Sequence, residues 1–158
     1  MLDMAAGAFP AEAPPGRADW IGVLAKALPA EVEDAFAAIA DQPAYAFLRR
    51  PEIGMVMVRG RAGGTGERFN LGEMTVTRCA VQIADGGIGY GYVAGRDRRH
   101  AELAAVIDAM LQADARRAAL LESVIEPLRA AQAGRRRTAS AKAGATRVDF
   151  FTMVRGED

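Results

Sequence analysis

The sequence predicts an α+β fold, in which N-terminal helices precede an antiparallel strand meander that is packed by a long helix and followed by a C-terminal strand. Three observations predict it. Apolar residues recur at helical spacing in residues 19–39 and again in residues 97–128. Between these segments, residues 45–94 contain stretches that alternate with a period of two and are separated by glycine-rich turns. Helices and strands that are segregated along the chain are typical of this class.

The first helices follow a short arm. Residues 1–16 hold three prolines among alanines and are interpreted as a flexible N-terminal arm, so that residues 17–158 form a single domain. Asp19 is a suitable N-cap for the first helix, and Pro29 is expected to end it. A second helix is expected from about residue 30 until just before Pro43. The apolar stripes of the two helices are Trp20, Val23, Leu24 and Ala27, and then Val32, Phe36 and Ile39.

The strand meander occupies the middle of the chain. Residues 45–50 are expected to form a short strand that Pro51 breaks, and residues 53–61 alternate as a second strand. Residues 62–72 contain four glycines and are expected to be a loop. Residues 73–84 and 88–94 are then the two strands of a hairpin, joined by the turn at residues 85–87.

Three glycines in the last of these strands share one face, which predicts a close helix. Because successive side chains of a strand point to opposite sides, Gly87, Gly89 and Gly91 leave one face bare. The alanine-rich helix expected over residues 97–119 is the natural neighbour. Its predicted N-cap is Asp97. Its apolar stripe is Leu103, Ile107, Met110 and Leu111.

The C-terminal part of the chain is expected to hold another helix and a last strand. The helix begins near residue 120 and is interrupted or restarted at Pro127, and residues 130–145 form a solvated helix or linker. The final strand is apolar on both faces, so it either enters the centre of the sheet or is covered by a partner. Its docking residues are Phe150, Phe151, Met153 and Val154.

Composition excludes several classes of function. Lys+Arg and Asp+Glu are both 20, and this neutral balance argues against a general nucleic-acid binder. The single cysteine, Cys79, permits no internal disulfide and fits a reducing compartment. No apolar run reaches the roughly 20 residues that cross a bilayer, and the first residues lack the basic segment of a signal peptide. We therefore expect a cytoplasmic protein without membrane contact. With one histidine and one cysteine, no ordinary structural zinc site is expected.

The first candidate site is the glycine-rich segment Gly63, Gly64, Thr65, Gly66, Glu67 and Arg68. Glycines permit a positive φ, and successive backbone N–H groups can then line an anion-binding hollow. Thr65 adds a hydroxyl donor, and Arg68 adds a guanidinium that matches phosphate oxygens. The pattern is not a Walker A loop. The alternative is a plain turn with solvated Glu67 and Arg68. Arg59, Arg61 and Arg78 project from the neighbouring strands and either extend this site or form the wet side of a sheet.

The second candidate site lies at the start of the long helix, around Arg96 and His100. Three arginines among residues 96–99 should repel a helix N-terminus unless an anion is bound there. The alternative is that these arginines face water or pair with carboxylates. His100 is a candidate phosphate donor or acid–base group. Its alternative role is a hydrogen-bonded core histidine. Cys79 is expected to be a small core residue.

An ordered set of motifs resembles the PhnG family of carbon–phosphorus lyase subunits, from about residue 20 to the C-terminus. The motifs are Gly63-Gly64-Thr65-Gly66-Glu67-Arg68-Phe69, Thr75-Val76-Thr77-Arg78, Gly89-Tyr90, Gly95-Arg96-Asp97, His100-Ala101-Glu102, Asp108-Ala109 and Val148-Asp149-Phe150-Phe151-Thr152-Met153-Val154-Arg155-Gly156. Each motif alone is weak, whereas the set in this order is specific.

The resemblance implies a partner-dependent subunit in the catabolism of organic phosphonates. Such subunits join three other kinds of subunit in a symmetric complex, an α-D-ribose 1-methylphosphonate 5-triphosphate synthase that transfers the ribose triphosphate moiety of ATP to a phosphonate. A different subunit, a radical S-adenosylmethionine protein with an iron–sulfur cluster, later breaks the carbon–phosphorus bond. The resemblance thus implies no cofactor bound by this chain alone, with ATP as substrate of the complex. The alternatives are a purely structural subunit without substrate contact and a free-standing nucleotide-binding domain.

Overall fold

The computed structural model describes residues 16–146 and confirms the α+β class. Its sheet has three antiparallel strands in the order β1-β2-β3, which are Tyr45–Arg61, Arg68–Ile83 and Ile88–Ala94. The helices are α1 (Arg17–Lys26), α2 (Pro29–Ala37), α3 (Arg98–Leu111), α4 (Asp114–Leu120) and α5 (Glu126–Ala145). A single turn of 3₁₀ helix at Ala62–Gly64 joins β1 to β2, and a π-helical turn at Leu121–Ile125 joins α4 to α5. No helix in this part of the chain is long and apolar enough to cross a membrane.

The core lies between the sheet and α3, which packs against β2 and β3. The predicted close approach is confirmed, because a Cβ built on Gly89 would lie 1.9 Å from the carbonyl oxygen of Ala105. A Cβ on Gly91 would lie 1.8 Å from the carbonyl oxygen of Ala101. The helix backbone therefore rests directly on the strand backbone. All four residues of the predicted α3 stripe are fully buried, and α1 and α2 complete the core with the buried residues of both predicted stripes, Trp20, Val23, Leu24, Ala27, Val32 and Phe36.

The strands are longer than the sequence predicts. β1 runs without a break through Pro51, because pairing irregularities between Phe47 and Glu52 place the proline where the ladder with β2 is already interrupted. β2 begins at Arg68 and not at residue 73, so the predicted loop is reduced to residues 62–67. The cause is the pairing of Arg68 and Phe69 with Arg61 and Gly60, which extends the ladder to the turn. The turn after β2 and the extent of β3 are as predicted.

Three predictions about helix ends are wrong. The second helix ends at Ala37 and not just before Pro43. The N-cap of α1 is Gly16, and Asp19 lies in the first turn, where its carboxylate accepts from Arg129 of α5 at 2.6 Å. The long helix ends at Leu111 and not near residue 119. Arg117 caps this end, because its guanidinium donates to the carbonyl oxygens of Leu111 at 2.8 Å and Gln112 at 2.9 Å. By contrast, Asp97 caps α3 as predicted, with its Oδ1 2.9 Å from the backbone nitrogen of His100. Pro127 does not interrupt the helix, because the π-helical turn Leu121–Ile125 continues directly into α5, of which Pro127 is the second residue.

One part of the sheet extends beyond the helices. β3 pairs with β2 only between Val76 and Gln82, whereas β1 and β2 remain paired as far as Arg61 and Arg68. Residues 55–75 thus form a two-stranded ribbon, here called the distal hairpin. At about 3.3 Å per residue, the six steps from Met55 to Arg61 make it roughly 20 Å long. The predicted N-terminal arm, apart from Gly16, and the predicted C-terminal strand with Phe150, Phe151, Met153 and Val154 lie outside the described residues.

Candidate functional site

The tip of the distal hairpin gathers three arginines. Arg61 and Arg68 are direct cross-strand partners, and Arg59 is two residues away on the same face of β1. All three are exposed, and none forms a salt bridge within residues 16–146. Like charges directly opposite each other destabilise a strand pair. Residues 59–68 hold these three arginines and one carboxylate, Glu67, so the tip has an excess of positive charge that a bound anion would relieve.

The glycines between these arginines shape a turn. Gly63 has φ 60° and Gly64 has φ 82°, which only glycine adopts without strain. The backbone N–H groups of Thr65 and Gly66 both donate to the carbonyl oxygen of Ala62, the second at 2.9 Å. These two amides are satisfied inside the loop, so they do not line the anion hollow that the sequence suggests. The side chains of Thr65, Glu67 and Arg68 are exposed, so the attraction for an anion comes from side chains.

The second basic segment, at the start of α3, divides into two parts. Arg96 and Arg98 are exposed and form no salt bridge among the described residues, whereas Arg99 pairs with Glu102 at 3.0 Å. His100 is 4% exposed, and its Nε2 lies 2.8 Å from the carbonyl oxygen of Leu24. The structure thus places His100 in the core between α3 and α1, the alternative role given above, and it does not face the arginines beside it.

The two basic segments do not form one site within a single chain. The backbone nitrogen of Gly95 donates to the carbonyl oxygen of Thr75 at 2.9 Å, which fixes Arg96 beside the middle of β2. Arg68 is seven residues earlier on that strand, about 23 Å away at the usual rise. A phosphate clamp that combines Arg68, Arg96 and His100 of the same chain is therefore excluded by geometry.

Arg78 belongs to neither basic segment. On the face of the sheet away from α3, its Nε lies 2.6 Å from the carboxylate of Glu52, which also accepts from Arg49 at 2.8 Å. The hydrogen bond from Arg78 lowers the pKa of Glu52 below its usual value, with a further contribution from the charge of Arg49. Arg78 is thus partly neutralised by a neighbour in its own chain.

Asp108 is a buried carboxylate whose role in linking the elements of the fold was not predicted from the sequence. Its carboxylate is completely buried in α3 and accepts from the Nη2 of Arg17 at 2.7 Å, the indole of Trp20 at 2.8 Å and the backbone nitrogen of Tyr90 at 2.9 Å. The hydrogen bond to Asp108 raises the pKa of Arg17 above its usual value. A lone aspartate within the apolar run of α3 was the signal that could have found it. The four groups join α1, α3 and β3.

The two side chains best suited to covalent or acid–base chemistry are both structural. Cys79 is buried under the sheet, and burial, reinforced by the charge of Glu102, raises the pKa of its thiol to about 11. A thiol with that pKa is protonated at neutral pH and is a poor nucleophile. The ring of His100 is hydrogen-bonded to the carbonyl oxygen of Leu24. Across residues 16–146, no group of three or more histidine, cysteine, aspartate or glutamate side chains is placed to hold a metal ion.

Large apolar side chains are exposed on both faces of the distal hairpin. The face that continues the helix-covered side of the sheet carries Met55 and Met57, next to the exposed Ile53 of the three-stranded part. The opposite face, here called the outer face, carries Val56, Val58, Phe69, Leu71 and Met74, with the Phe69 ring 3.4 Å from the position of a Cβ on Gly60. Met55 and Leu71 are each 66% exposed. Apolar surface of this extent marks a protein contact.

Comparison with known proteins identifies a family and a relative that match most of the chain. The family model described as "Phosphonate metabolism protein PhnG" matches residues 15–156. A relative from Rhizobium meliloti (strain 1021), named as the PhnG subunit of alpha-D-ribose 1-methylphosphonate 5-triphosphate synthase, is 46% identical over 142 residues, which cover 90% of each chain. The match extends across the hairpin, the helices and the segment after α5.

Proposed function

The chain belongs to the PhnG family of phosphonate metabolism proteins, and on this basis we propose that it acts as a non-autonomous subunit of α-D-ribose 1-methylphosphonate 5-triphosphate synthase. The observation that carries the proposal is the 46% identity over 90% of both chains to a subunit of that enzyme. In the proposed reaction, a phosphonate oxygen attacks the anomeric carbon of the ribose of ATP. The carbon–oxygen bond forms as the bond to adenine breaks, so adenine leaves and the triphosphate stays on the ribose.

The placement of the reactive side chains supports dependence on other subunits. The histidine and the cysteine of the described chain are both buried and engaged in the fold. Apart from Glu67, the charged side chains of the hairpin tip are the guanidinium groups of Arg59, Arg61 and Arg68. Such groups can position a substrate and stabilise charge, but they do not accept or donate protons at neutral pH. The remaining catalytic groups would come from partner subunits, in a hetero-oligomer without nucleic acid or membrane contact.

The tip of the distal hairpin is the surface best suited to the triphosphate. Arg61 and Arg68 face each other without a carboxylate between them, and Arg59 extends the same face. Guanidinium groups bind phosphate oxygens through paired N–H donors, and these hydrogen bonds are stronger than neutral ones. Because ATP and the product both carry a triphosphate, the tip would hold substrate and product alike. Its contribution is to bind and orient the substrate.

The test compares tip variants within the assembled complex. The chain is co-expressed with the other synthase subunits, and formation of the ribosyl phosphonate from ATP and methylphosphonate is followed by phosphorus NMR. Arg68→Ala and Arg61→Ala should each lower kcat/KM for ATP by about tenfold to a hundredfold, since a charge-assisted hydrogen bond contributes roughly 1.5–3 kcal/mol. Arg137→Ala, on the exposed surface of α5, is the matched control and should retain full activity.

A purely structural subunit is the second candidate, and the apolar distal hairpin favours it. In that case the tip arginines would pair with carboxylates of a neighbouring subunit. The Arg68→Ala and Arg61→Ala complexes would then lose stability toward salt while keeping their kcat and KM for ATP. Full activity in a complex that lacks this chain would contradict both candidates.

A further inference from the structure

The distal hairpin is a structural element without support of its own. Between Thr75 and the hairpin tip, β1 and β2 are neither paired with β3 nor covered by α3. An isolated two-stranded ribbon is only marginally stable in water. None of the buried core residues lies between Ile53 and Thr75. Within the described chain, the hairpin is therefore held in its extended form only by contacts between its own two strands.

The apolar side chains of the hairpin point in two opposite directions. Met55 and Met57 are opposite Thr75 and Glu73 on the helix-side face, while Val56 is opposite Met74 on the outer face. A strand that is apolar on both faces is typical of one that is covered on both sides. A partner that covers only one face of the hairpin would leave either the two methionines or the apolar residues of the outer face in water.

The two edges of the sheet differ in whether their backbone hydrogen-bonding groups are occupied. At β3, the carbonyl oxygen of Ile88 and the backbone nitrogen of Tyr90 are occupied by the side chains of Arg17 at 2.9 Å and Asp108 at 2.9 Å. Among the described residues no strand pairs with the outer edge of β1, which runs for 17 residues. Proteins usually blunt such an edge unless it is used in pairing. The open edge and the two apolar faces thus coincide on one ribbon.

From these features, and resting on the proposed function, we infer that the distal hairpin is an arm that inserts between two apolar surfaces of another subunit of the synthase. The partner covers both faces of the hairpin and holds an anionic group near Arg61 and Arg68. A second copy of this chain does not fit these requirements. In a two-fold contact each copy covers the same face of the other and leaves the second face exposed, and a contact between unlike faces would propagate into filaments.

The test places one charge on each face of the arm. Met55→Glu and Leu71→Glu change side chains that are equally exposed in the free chain, so both variants should keep the circular dichroism and thermal unfolding of the wild-type chain. Each should lower recovery of the chain with co-expressed, affinity-tagged synthase subunits by about tenfold or more, because a buried carboxylate is left unpaired in the contact. Leu28→Glu, at a half-exposed leucine between α1 and α2, is the matched control and should be recovered normally.

Amide hydrogen exchange gives an independent measurement. Amides of residues 53–57 and 69–74 should exchange more slowly in the complex than in the isolated chain, with smaller changes in α5. Normal recovery of both variants would overturn the inference, as would the loss of only one of them, since insertion requires both faces. Dimerisation of the isolated chain that Leu71→Glu abolishes, together with normal recovery of that variant, would show a second copy as the occupant. If the wild-type chain itself fails to bind the other subunits, the proposed function is wrong.

Discussion

Asp108 shows how one buried charge can organise three elements of this chain. Its carboxylate accepts hydrogen bonds from α1 through Arg17 and Trp20, and from β3 through the backbone of Tyr90. A buried ion pair is not by itself evidence of stability, because desolvation opposes the attraction. Removing one partner is different, since it leaves the others buried without an acceptor. The role of Asp108 is therefore to fix where α1 lies on the sheet.

We expect Asp108→Ala to destabilise the isolated chain by about 3 kcal/mol or more, because the indole N–H, the backbone N–H of Tyr90 and the guanidinium of Arg17 all lose their acceptor. Urea unfolding followed by tryptophan fluorescence measures the loss and reports on Trp20 directly. Asp114→Ala is the control, because Asp114 is 90% exposed in its salt bridge with Arg117, and such pairs contribute less than about 1 kcal/mol. Equal stability of the two variants would contradict the role assigned to Asp108.

At the scale of elements, the contact between α3 and β3 depends on the absence of side chains. Gly89 and Gly91 alternate with Tyr90 and Tyr92, so the strand presents a bare face to the helix and an aromatic face to the outside. The opposing helix residues are Ala101 and Ala105, which are themselves small. The close contact lets the helix backbone approach the sheet without a layer of large side chains between them.

We expect Gly91→Ala to destabilise the fold strongly, by about 3 kcal/mol or more, because the new methyl group would lie 1.8 Å from a helix carbonyl oxygen and the helix must shift. Gly134→Ala is the matched control. Nothing lies within 4 Å of a Cβ at Gly134 in α5, and alanine favours a helix interior over glycine by roughly 1 kcal/mol. Chemical denaturation of the two variants should thus give shifts of opposite sign. A small effect at Gly91 would mean that α3 is less tightly seated than its backbone contacts indicate.

The same elements show what the sequence could predict and what it could not. The glycine face of β3, the buried stripe of α3 and the cap at Asp97 follow from local periodicity, and all three are confirmed. The end of α3 at Leu111 was missed because no glycine or proline marks it, and the side chain of Arg117 supplies the cap from the next helix. The sequence also could not show how the two candidate sites lie relative to each other. Arg68 and Arg96 are separated along β2 by the pairing register, which the order of motifs in the sequence does not reveal.

At the scale of the whole molecule, the chain divides into a body and an arm. The buried hydrophobic core connects helices α1 to α5, the π-helical turn and the sheet between Cys79 and Val93. The distal hairpin contributes exposed apolar residues and arginines that form no salt bridge among the described residues. Stability therefore resides in the body. The surfaces that suit an anion and a partner subunit lie in an element on which the body does not depend.

This division predicts that the arm can be shortened without unfolding the body. In the variant we propose, residues 56–74 are replaced by Asn-Gly, which closes the paired residues Met55 and Thr75 with a two-residue hairpin turn. Its free energy of unfolding should stay within about 1 kcal/mol of the wild-type value, because every core residue is retained and only surface apolar contacts are lost. The same variant should no longer be recovered with the other synthase subunits.

Gly91→Ala, in which the arm is intact and the body is perturbed, should show the opposite pattern. Its free energy of unfolding as an isolated chain should be lower than that of the shortened variant, while the surface that binds the other subunits is retained. A shortened variant that unfolds cooperatively at a much lower urea concentration would show that the hairpin supports the body, and the separation of body and arm would then be wrong.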